Sequence, residues 1–234
     1  MKDEVAVVTG AGRGIGAATA IELAARGARV ALAARTEPDL LATVARIAEG
    51  GGVALPVRAD VSREEEVSRL FREVKERLGP VTLLVNNAGT VVPDAVATMT
   101  LETWRTNLDA NLTSAFLCSR AALAHMLPAR KGRIVNVSSV SGVTGVPKFP
   151  GFAAYAAAKA GMIVFTEALA AEVGGEGVKV ICVSPGSVET TLLARVAPGV
   201  KADMRPEEVA KLIVLLSSTD AAPANGANVV AWGK

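Results

Sequence analysis

Short apolar runs rich in β-branched residues alternate with longer segments of helical period along the whole chain. Runs near Val5–Val8, Arg29–Ala33, Val53–Arg58, Thr82–Val85, Arg133–Val137, Val178–Val183 and Asn228–Ala231 read as strands. They are nearly continuous in hydrophobicity, as expected of strands covered on both faces. The alternation predicts an α/β fold, a seven-stranded parallel sheet with helices on both faces. The third helix is expected to begin at Ser62, with Glu65 completing a capping box. It turns Val67, Leu70, Phe71 and Val74 inward and a charged stretch from Glu64 to Arg77 outward, a solvated helix face. Long helices are expected over Leu101–Leu127 and Ala153–Val173, and Gly50-Gly51-Gly52 reads as a turn. No composition shift, repeat or low-complexity segment divides the chain, so residues 1–234 are expected to form a single domain.

Composition narrows the function classes. Half of the residues are apolar, enough for a large core. The formal net charge of +2 gives no reason to expect nucleic acid or a membrane surface as a partner. No apolar run reaches the roughly 20 residues of a bilayer span. Met1-Lys2-Asp3-Glu4 leads directly into a strand-like run, without the pattern of a secretory signal, so a cytoplasmic location is expected. Cys118 and Cys182 lie far apart in apolar surroundings and read as reduced core residues. With one histidine and no cysteine cluster, a zinc site has few ligands to draw on. His125 is expected at a helix end or an interface, and Trp104 and Trp232 in packing.

Chemistry enters directly after the first strand. Thr9-Gly10-Ala11-Gly12-Arg13-Gly14-Ile15-Gly16 opens a helix over Ala17–Arg26. Glycines allow a tight turn and close approach to a pyrophosphate, and the helix start offers free N–H groups and the positive end of its dipole. With a strand before it, a helix after it and a second strand at Arg29–Ala33, the loop points to a Rossmann-type, doubly wound nucleotide-binding sheet. A second feature is Tyr155, the only tyrosine in a chain of 3% aromatic residues. Lys159 follows at i+4, on the same helix face, so a phenol and an ammonium stand side by side as a tunable proton donor.

Gly10, Gly14 and Gly16 follow a Gly-x-x-x-Gly-x-Gly spacing. Asp60-Val61-Ser62, Asn86-Asn87-Ala88-Gly89, Asn111, Ser139, Tyr155/Lys159 and Pro185-Gly186-x-Val188-x-Thr190 come after it in that order. Over essentially its whole length the chain resembles the compact single-domain branch of the short-chain dehydrogenase/reductase family, including its 3-oxoacyl-carrier-protein reductases and related ketone reductases. The resemblance implies that Gly10, Gly14, Ile15 and Gly16 hold a pyrophosphate, and that Asp60 and Val61 contact adenine. It implies that Asn87, Ala88 and Gly89 flank the adenosine ribose, and that Pro185, Gly186, Val188 and Thr190 line the nicotinamide. Tyr155 is then the proton donor, Lys159 its charged neighbour and a ribose contact, and Ser139 a hydrogen-bond donor to the substrate oxygen. Asn111 holds a water that links Lys159 to solvent. Ser139 is the family's choice within Ser138-Ser139-Val140-Ser141-Gly142, with Ser138 and Ser141 as alternatives. The stretch Val143–Ala154 is a few residues longer than is common in the family. A free phenol with pKa about 10 lies roughly 3 units too high for neutral pH, so about 4 kcal/mol of phenolate stabilisation is needed.

The second strand ends in Ala33-Ala34-Arg35-Thr36, without the acidic residue that accepts the NAD ribose. Arg35, with Arg13, suits a 2′-phosphate, so NADP(H) is the expected cofactor and NAD(H) the alternative. The expected activity is NADPH-dependent reduction of a ketone, or the reverse alcohol oxidation, on a small-molecule carbonyl or alcohol. The alternatives are 3-oxoacyl-carrier-protein or 3-oxoacyl-CoA reduction and a non-enzymatic nucleotide-binding module. The family resemblance implies self-association as a homotetramer or dimer, although Trp232-Gly233-Lys234 replaces the common Asp-Gly-Gly. The loop Glu189–Arg205 is expected to cover the substrate, with Arg195 and Lys201 as its polar handles. Arg130 and Lys131 are candidate docking residues for an acidic carrier protein, which the acidic stretch Glu167–Glu176 disfavours.

Overall fold

The computed structural model describes residues 1–233. The strands are β1 (Val5–Thr9), β2 (Arg29–Ala34), β3 (Val53–Arg58), β4 (Leu83–Asn86), β5 (Gly132–Val137), β6 (Val178–Pro185) and β7 (Asn228–Ala231). They form one parallel sheet in the order β3-β2-β1-β4-β5-β6-β7. The expected seven strands and their parallel pairing are therefore present. Helices α1 (Gly14–Ala25), α2 (Glu37–Glu49), α3 (Glu64–Arg77), α4 (Leu101–Leu108), α5 (Ser114–Ala129), α6 (Ala153–Val173), α7 (Thr191–Val196) and α8 (Pro206–Leu216) occupy the connections. The strand order reverses between β1 and β4, and in such sheets a crevice opens outside the carboxyl ends at that point.

Period-two alternation deals each strand's side chains to two cores. Val5 and Val7 of β1 join Leu70, Phe71 and Val74 of α3, Cys118 and Met126 of α5 and Leu169 of α6. Ala6 and Val8 join Leu23 of α1, Leu40 and Ile47 of α2 and Ile213 of α8. Asn86, Asn136, Cys182 and Asn228 stand in register on neighbouring strands. The Asn86 amide donates to Asn136 Oδ1 (2.9 Å) and Ser119 Oγ (3.0 Å), and the Asn136 amide donates to Thr166 Oγ1 (2.9 Å). This buried network fixes α5 and α6 against the carboxyl half of the sheet. Both cysteines are free and buried. His125, late in α5, accepts the Val81 N–H at Nδ1 (3.2 Å) and meets Phe71 edge-on. Burial, helped by Lys75, holds its pKa below the usual histidine range.

Four expectations change. Ser62 does not cap α3, because its N–H (3.1 Å) and hydroxyl (2.7 Å) both go to Asp60 Oδ1. The helix starts two residues later, and Glu66 rather than Glu65 reaches back, accepting the Asp60 N–H (2.9 Å). The long helix Leu101–Leu127 is interrupted, since a π-helical turn over Asp109–Thr113 separates α4 from α5. The tryptophans are not buried, Trp232 being 57% exposed and Trp104 lying at the surface of α4. Arg130 and Lys131 lie just before β5, at the opposite end of the sheet from Ser139, and six strand residues separate those ends by about 20 Å. Arg130 pairs there with Glu176 (2.6 Å) and Lys131 with Glu4 (3.7 Å). Among the described residues, no helix is long and apolar enough to cross a membrane.

Candidate active site

Thr9 ends β1 and sews it to β4. Its Oγ1 accepts the backbone N–H groups of Asn87 (3.0 Å) and Ala88 (2.9 Å), and the Asn87 amide donates to the Thr9 carbonyl (2.9 Å). The chain then turns through Gly10 and Gly14, both at positive φ, into α1. Arg13 is the N-cap and supplies no side-chain cap, so the first N–H groups of the helix stay open toward the cleft. Gly16 is buried beneath this loop, where a Cβ would collide with the Gly10 carbonyl and the Asn87 amide. It shapes the turn from below and does not line the cleft, unlike its expected partners Gly10, Gly14 and Ile15.

Tyr155 lies in the first turn of α6, and Lys159 one turn on. The Lys159 ammonium stands 5.8 Å from the Tyr155 ring centroid, is buried, and donates to the Val137 carbonyl (2.8 Å). Burial pushes the Tyr155 phenol up to about 12, and a hydrogen bond with Ser139 pulls against that rise. Burial also pushes Lys159 down to about 8. At neutral pH the phenol is therefore protonated and the ammonium still mostly charged, and added positive charge nearby would favour the phenolate. The three serines separate clearly. Ser138 is buried with its hydroxyl donated to the Lys159 carbonyl (2.7 Å), which ties the end of β5 to α6. Ser139 accepts the Ser141 N–H (3.1 Å) and lines the cleft together with Tyr155. Gly142 permits this approach, because a Cβ there would lie 2.5 Å from the Lys159 carbonyl carbon.

The π turn carries Asn111 into the interior. Its amide donates to the carbonyls of Thr90 (2.8 Å) and Asn107 (2.8 Å), while Oδ1 is buried without a partner. A Cβ on Gly89 would lie against that oxygen and 3.6 Å from the Lys159 ammonium nitrogen, so both polar groups converge on one point. An orphaned acceptor beside an ammonium is a place for a ligand group or water. Asn107, one turn earlier, exchanges hydrogen bonds with both backbone groups of Val92 and holds the segment after β4. The Asn-x-x-x-Asn spacing of 107 and 111 was the available signal for it.

These parts surround one cleft of about 710 Å³. Arg13, Arg35, Asp60 and Val61 line one end; Asn87, Ala88 and Gly89 the middle; Asn111, Ser139, Tyr155, Lys159, Pro185, Gly186, Val188 and Thr190 the other. Arg13 and Arg35 are exposed. The Asp60 carboxylate is turned into its own bend by Ser62. The segment after Val188 forms α7, from which Arg195 donates across the cleft to Thr90 Oγ1 (2.9 Å). Trp232 lies against Gly186 from outside, where a Cβ would stand 3.2 Å from the ring. The open α1 start, the tight glycine turn and the orphaned Asn111 oxygen together fit a bound dinucleotide.

Comparison with known proteins agrees with this geometry. The sequence pattern of the family described as short chain dehydrogenase matches residues 4–201. A 3-oxoacyl-[acyl-carrier-protein] reductase from Synechocystis sp. is 40% identical, the alignment covering 94% of this chain and 91% of that one. A meso-2,3-butanediol dehydrogenase from Serratia marcescens is 37% identical over 97% of this chain and 92% of its own. A solved structure of a variant actinorhodin polyketide ketoreductase with NADPH superimposes with a TM-score of 0.91 at 34% identity, covering 98% of this chain and 96% of that chain.

Proposed function

The chain belongs to the short-chain dehydrogenase/reductase family, and from that premise we propose that it reduces a ketone to a secondary alcohol with NADPH, reversibly, at a Ser-Tyr-Lys-Asn site. Oxidoreduction at carbonyl and CH–OH groups is the chemistry of the family. The observation that carries the proposal is the convergence of Ser139, Tyr155, Lys159 and Asn111 in the cleft that the open start of α1 also faces. Gly10, Gly14 and Ile15 would hold the dinucleotide, which would supply a hydride for the carbonyl carbon. Ser139 orients the carbonyl oxygen by a hydrogen bond, and Tyr155 gives that oxygen its proton. Lys159 stabilises the phenolate left behind, and the Asn111 oxygen offers an acceptor on the route by which the proton is replaced. Against a phenol raised to about 12, reaching neutral pH requires roughly 7 kcal/mol of phenolate stabilisation. Lys159 and the positive charge that an oxidised nicotinamide would add are its sources.

Arg35 and Arg13 at the end of β2 and in the glycine loop support NADPH over NADH, because no acidic side chain stands between the end of β2 and Glu37. The same reading takes the protein as a cytoplasmic homotetramer or dimer. A second reading, reduction of 3-oxoacyl groups on a carrier protein or coenzyme A, is favoured by the name of the Synechocystis relative. Docking through Arg130 and Lys131 does not support it, since both are paired at the far end of the sheet. The test is a panel of free ketones and 3-oxoacyl thioesters with NADPH and with NADH, followed by loss of the reduced cofactor. Turnover of free ketones with NADPH is expected. Turnover only of carrier-bound acyl groups would promote the second reading, and no turnover of any carbonyl would overturn the first.

A further inference from the structure

We propose that the long segment before Tyr155 makes this cleft selective for ketones bearing a bulky apolar or aromatic group, with Phe149 as the specificity-determining residue. The inference rests on the reductase reading and names its substrate class. The chain is poor in aromatic side chains (3%), yet three of them form a ladder here. Phe152 is buried and meets the Tyr155 ring edge-on, with centroids 6.0 Å apart and planes at 86°. Phe149 follows at 5.5 Å from Phe152. Phe149 lines the cleft but remains 48% exposed, so much of its ring is free to be covered.

The segment that carries Phe149 is fixed at several points. The Lys148 ammonium donates to the carbonyls of Val140 and Val143, which form the turn after Ser139. The Gly151 carbonyl accepts the Asp94 N–H (3.0 Å), and the Phe149 carbonyl accepts the Phe152 N–H (3.2 Å). Leu192, Leu193 and Val196 of α7, with Val91 and Val140, give the cleft further apolar lining. The guanidinium carried by α7 is already occupied, since Arg195 donates to Thr90 Oγ1 and to the Val91 carbonyl. A ligand at this end is therefore recognised by apolar area more than by charge. A ring placed on Phe149 gains burial together with aromatic contact geometry, while the carbonyl sits at Tyr155.

The test compares 4-phenylbutan-2-one with butan-2-one, which share a carbonyl and differ by one phenyl group. The wild-type protein is expected to show the higher kcat/KM on the phenyl ketone. Phe149→Ala should lower the ratio of the two kcat/KM values by on the order of tenfold. Phe149→Trp, which keeps an aromatic surface, should retain most of the ratio and controls for misfolding of the alanine variant. Equal efficiency of wild type on both ketones, or an equal loss on both in Phe149→Ala with Phe149→Trp folded and active, overturns the specificity. Reduction of neither ketone with either cofactor, while an acyl thioester is reduced, overturns the free-ketone reading beneath it.

Discussion

Lys159→Met tests the electrostatic core of the proposed site. Methionine keeps an unbranched side chain of similar length and removes one buried positive charge. The ammonium stands 5.8 Å from the Tyr155 ring centroid. At an effective dielectric constant of about 20, a unit charge at about 6 Å stabilises a phenolate by roughly 3 kcal/mol. That corresponds to about 2 pKa units and on the order of a hundredfold in kcat for a step in which the phenolate forms. Stability should move little, because two effects oppose each other. The Val137 carbonyl loses its Lys159 donor, which costs about 1–3 kcal/mol. Against this, the burial that pushes Lys159 down to about 8 no longer penalises a charge.

Two measurements read the effect. The first is kcat for ketone reduction at saturating NADPH, with cofactor affinity determined separately because Lys159 is also a proposed ribose contact. The second is the pH profile of alcohol oxidation, in which the deprotonated phenol acts as base. Removal of the positive charge raises the phenol pKa, so the ascending limb should move to higher pH by about 2 units. A severalfold loss of kcat with an unmoved pH profile would refute the charge argument and leave Lys159 as a cofactor contact only.

Tyr155→Phe keeps the ring contact with Phe152 and removes the proton, so turnover should fall to background while NADPH binding stays near the wild-type value; near-wild-type kcat would exclude Tyr155 as the donor. Arg35→Asp should narrow or reverse a preference for NADPH, measured as kcat/KM with both cofactors, and equal use of both by wild type would return Arg35 to an ordinary exposed residue. Cys118 predicts an alkaline loss of stability, because burial raises its thiol from 9.0 to about 12. Between those values the unfolded chain releases a proton that the folded chain keeps, so stability falls as pH rises, by about 1.4 kcal/mol per unit for this group. Lys159, lowered from 10.5 to about 8, acts in the opposite sense between those values. Urea unfolding of wild type and Cys118→Ala from pH 8.5 to about 10.5 should therefore show a shallower alkaline decline in the variant, and parallel curves would refute the assignment.

What could be read from the sequence has a physical pattern. The glycine loop and the Tyr155/Lys159 pair are local, since each residue's partner lies within a turn and the helix or turn geometry itself places them. The strands were legible because double burial leaves nearly unbroken apolar runs. The π turn at Asp109–Thr113 leaves no such mark, because one extra residue in a helical turn barely alters an apolar period that continues through both flanking helices. Yet that turn sets the orientation of Asn111, so its residue was named while its geometry was not. Ser62 failed as a cap for the converse reason, since a bond more local than the helix start intervenes: Asp60, two residues back, accepts both its N–H and its hydroxyl proton and holds it in a bend before the helix.

The remaining errors come from treating nearness in sequence as nearness in space. Arg130 stands nine residues from Ser139, but β5 lies between them, and a strand carries its two ends about 20 Å apart. Arg195 and Thr90 are 105 residues apart and are hydrogen-bonded across the cleft. Phe149 shows both sides of this logic. Its segment was recognisable as unusually long, and length alone cannot say which way an inserted loop folds. The direction is set by Lys148, whose ammonium is held on the carbonyls of Val140 and Val143 in the turn after Ser139. Those two bonds fold the insertion back on the Ser139 turn, with Phe149 lining the cleft. Lys148→Met, by releasing that tether, should therefore lower the kcat/KM ratio of 4-phenylbutan-2-one to butan-2-one in the same direction as Phe149→Ala while leaving Phe149 itself intact. An unchanged ratio in Lys148→Met, with a lowered one in Phe149→Ala, would assign the placement of the ring to Phe152 packing instead.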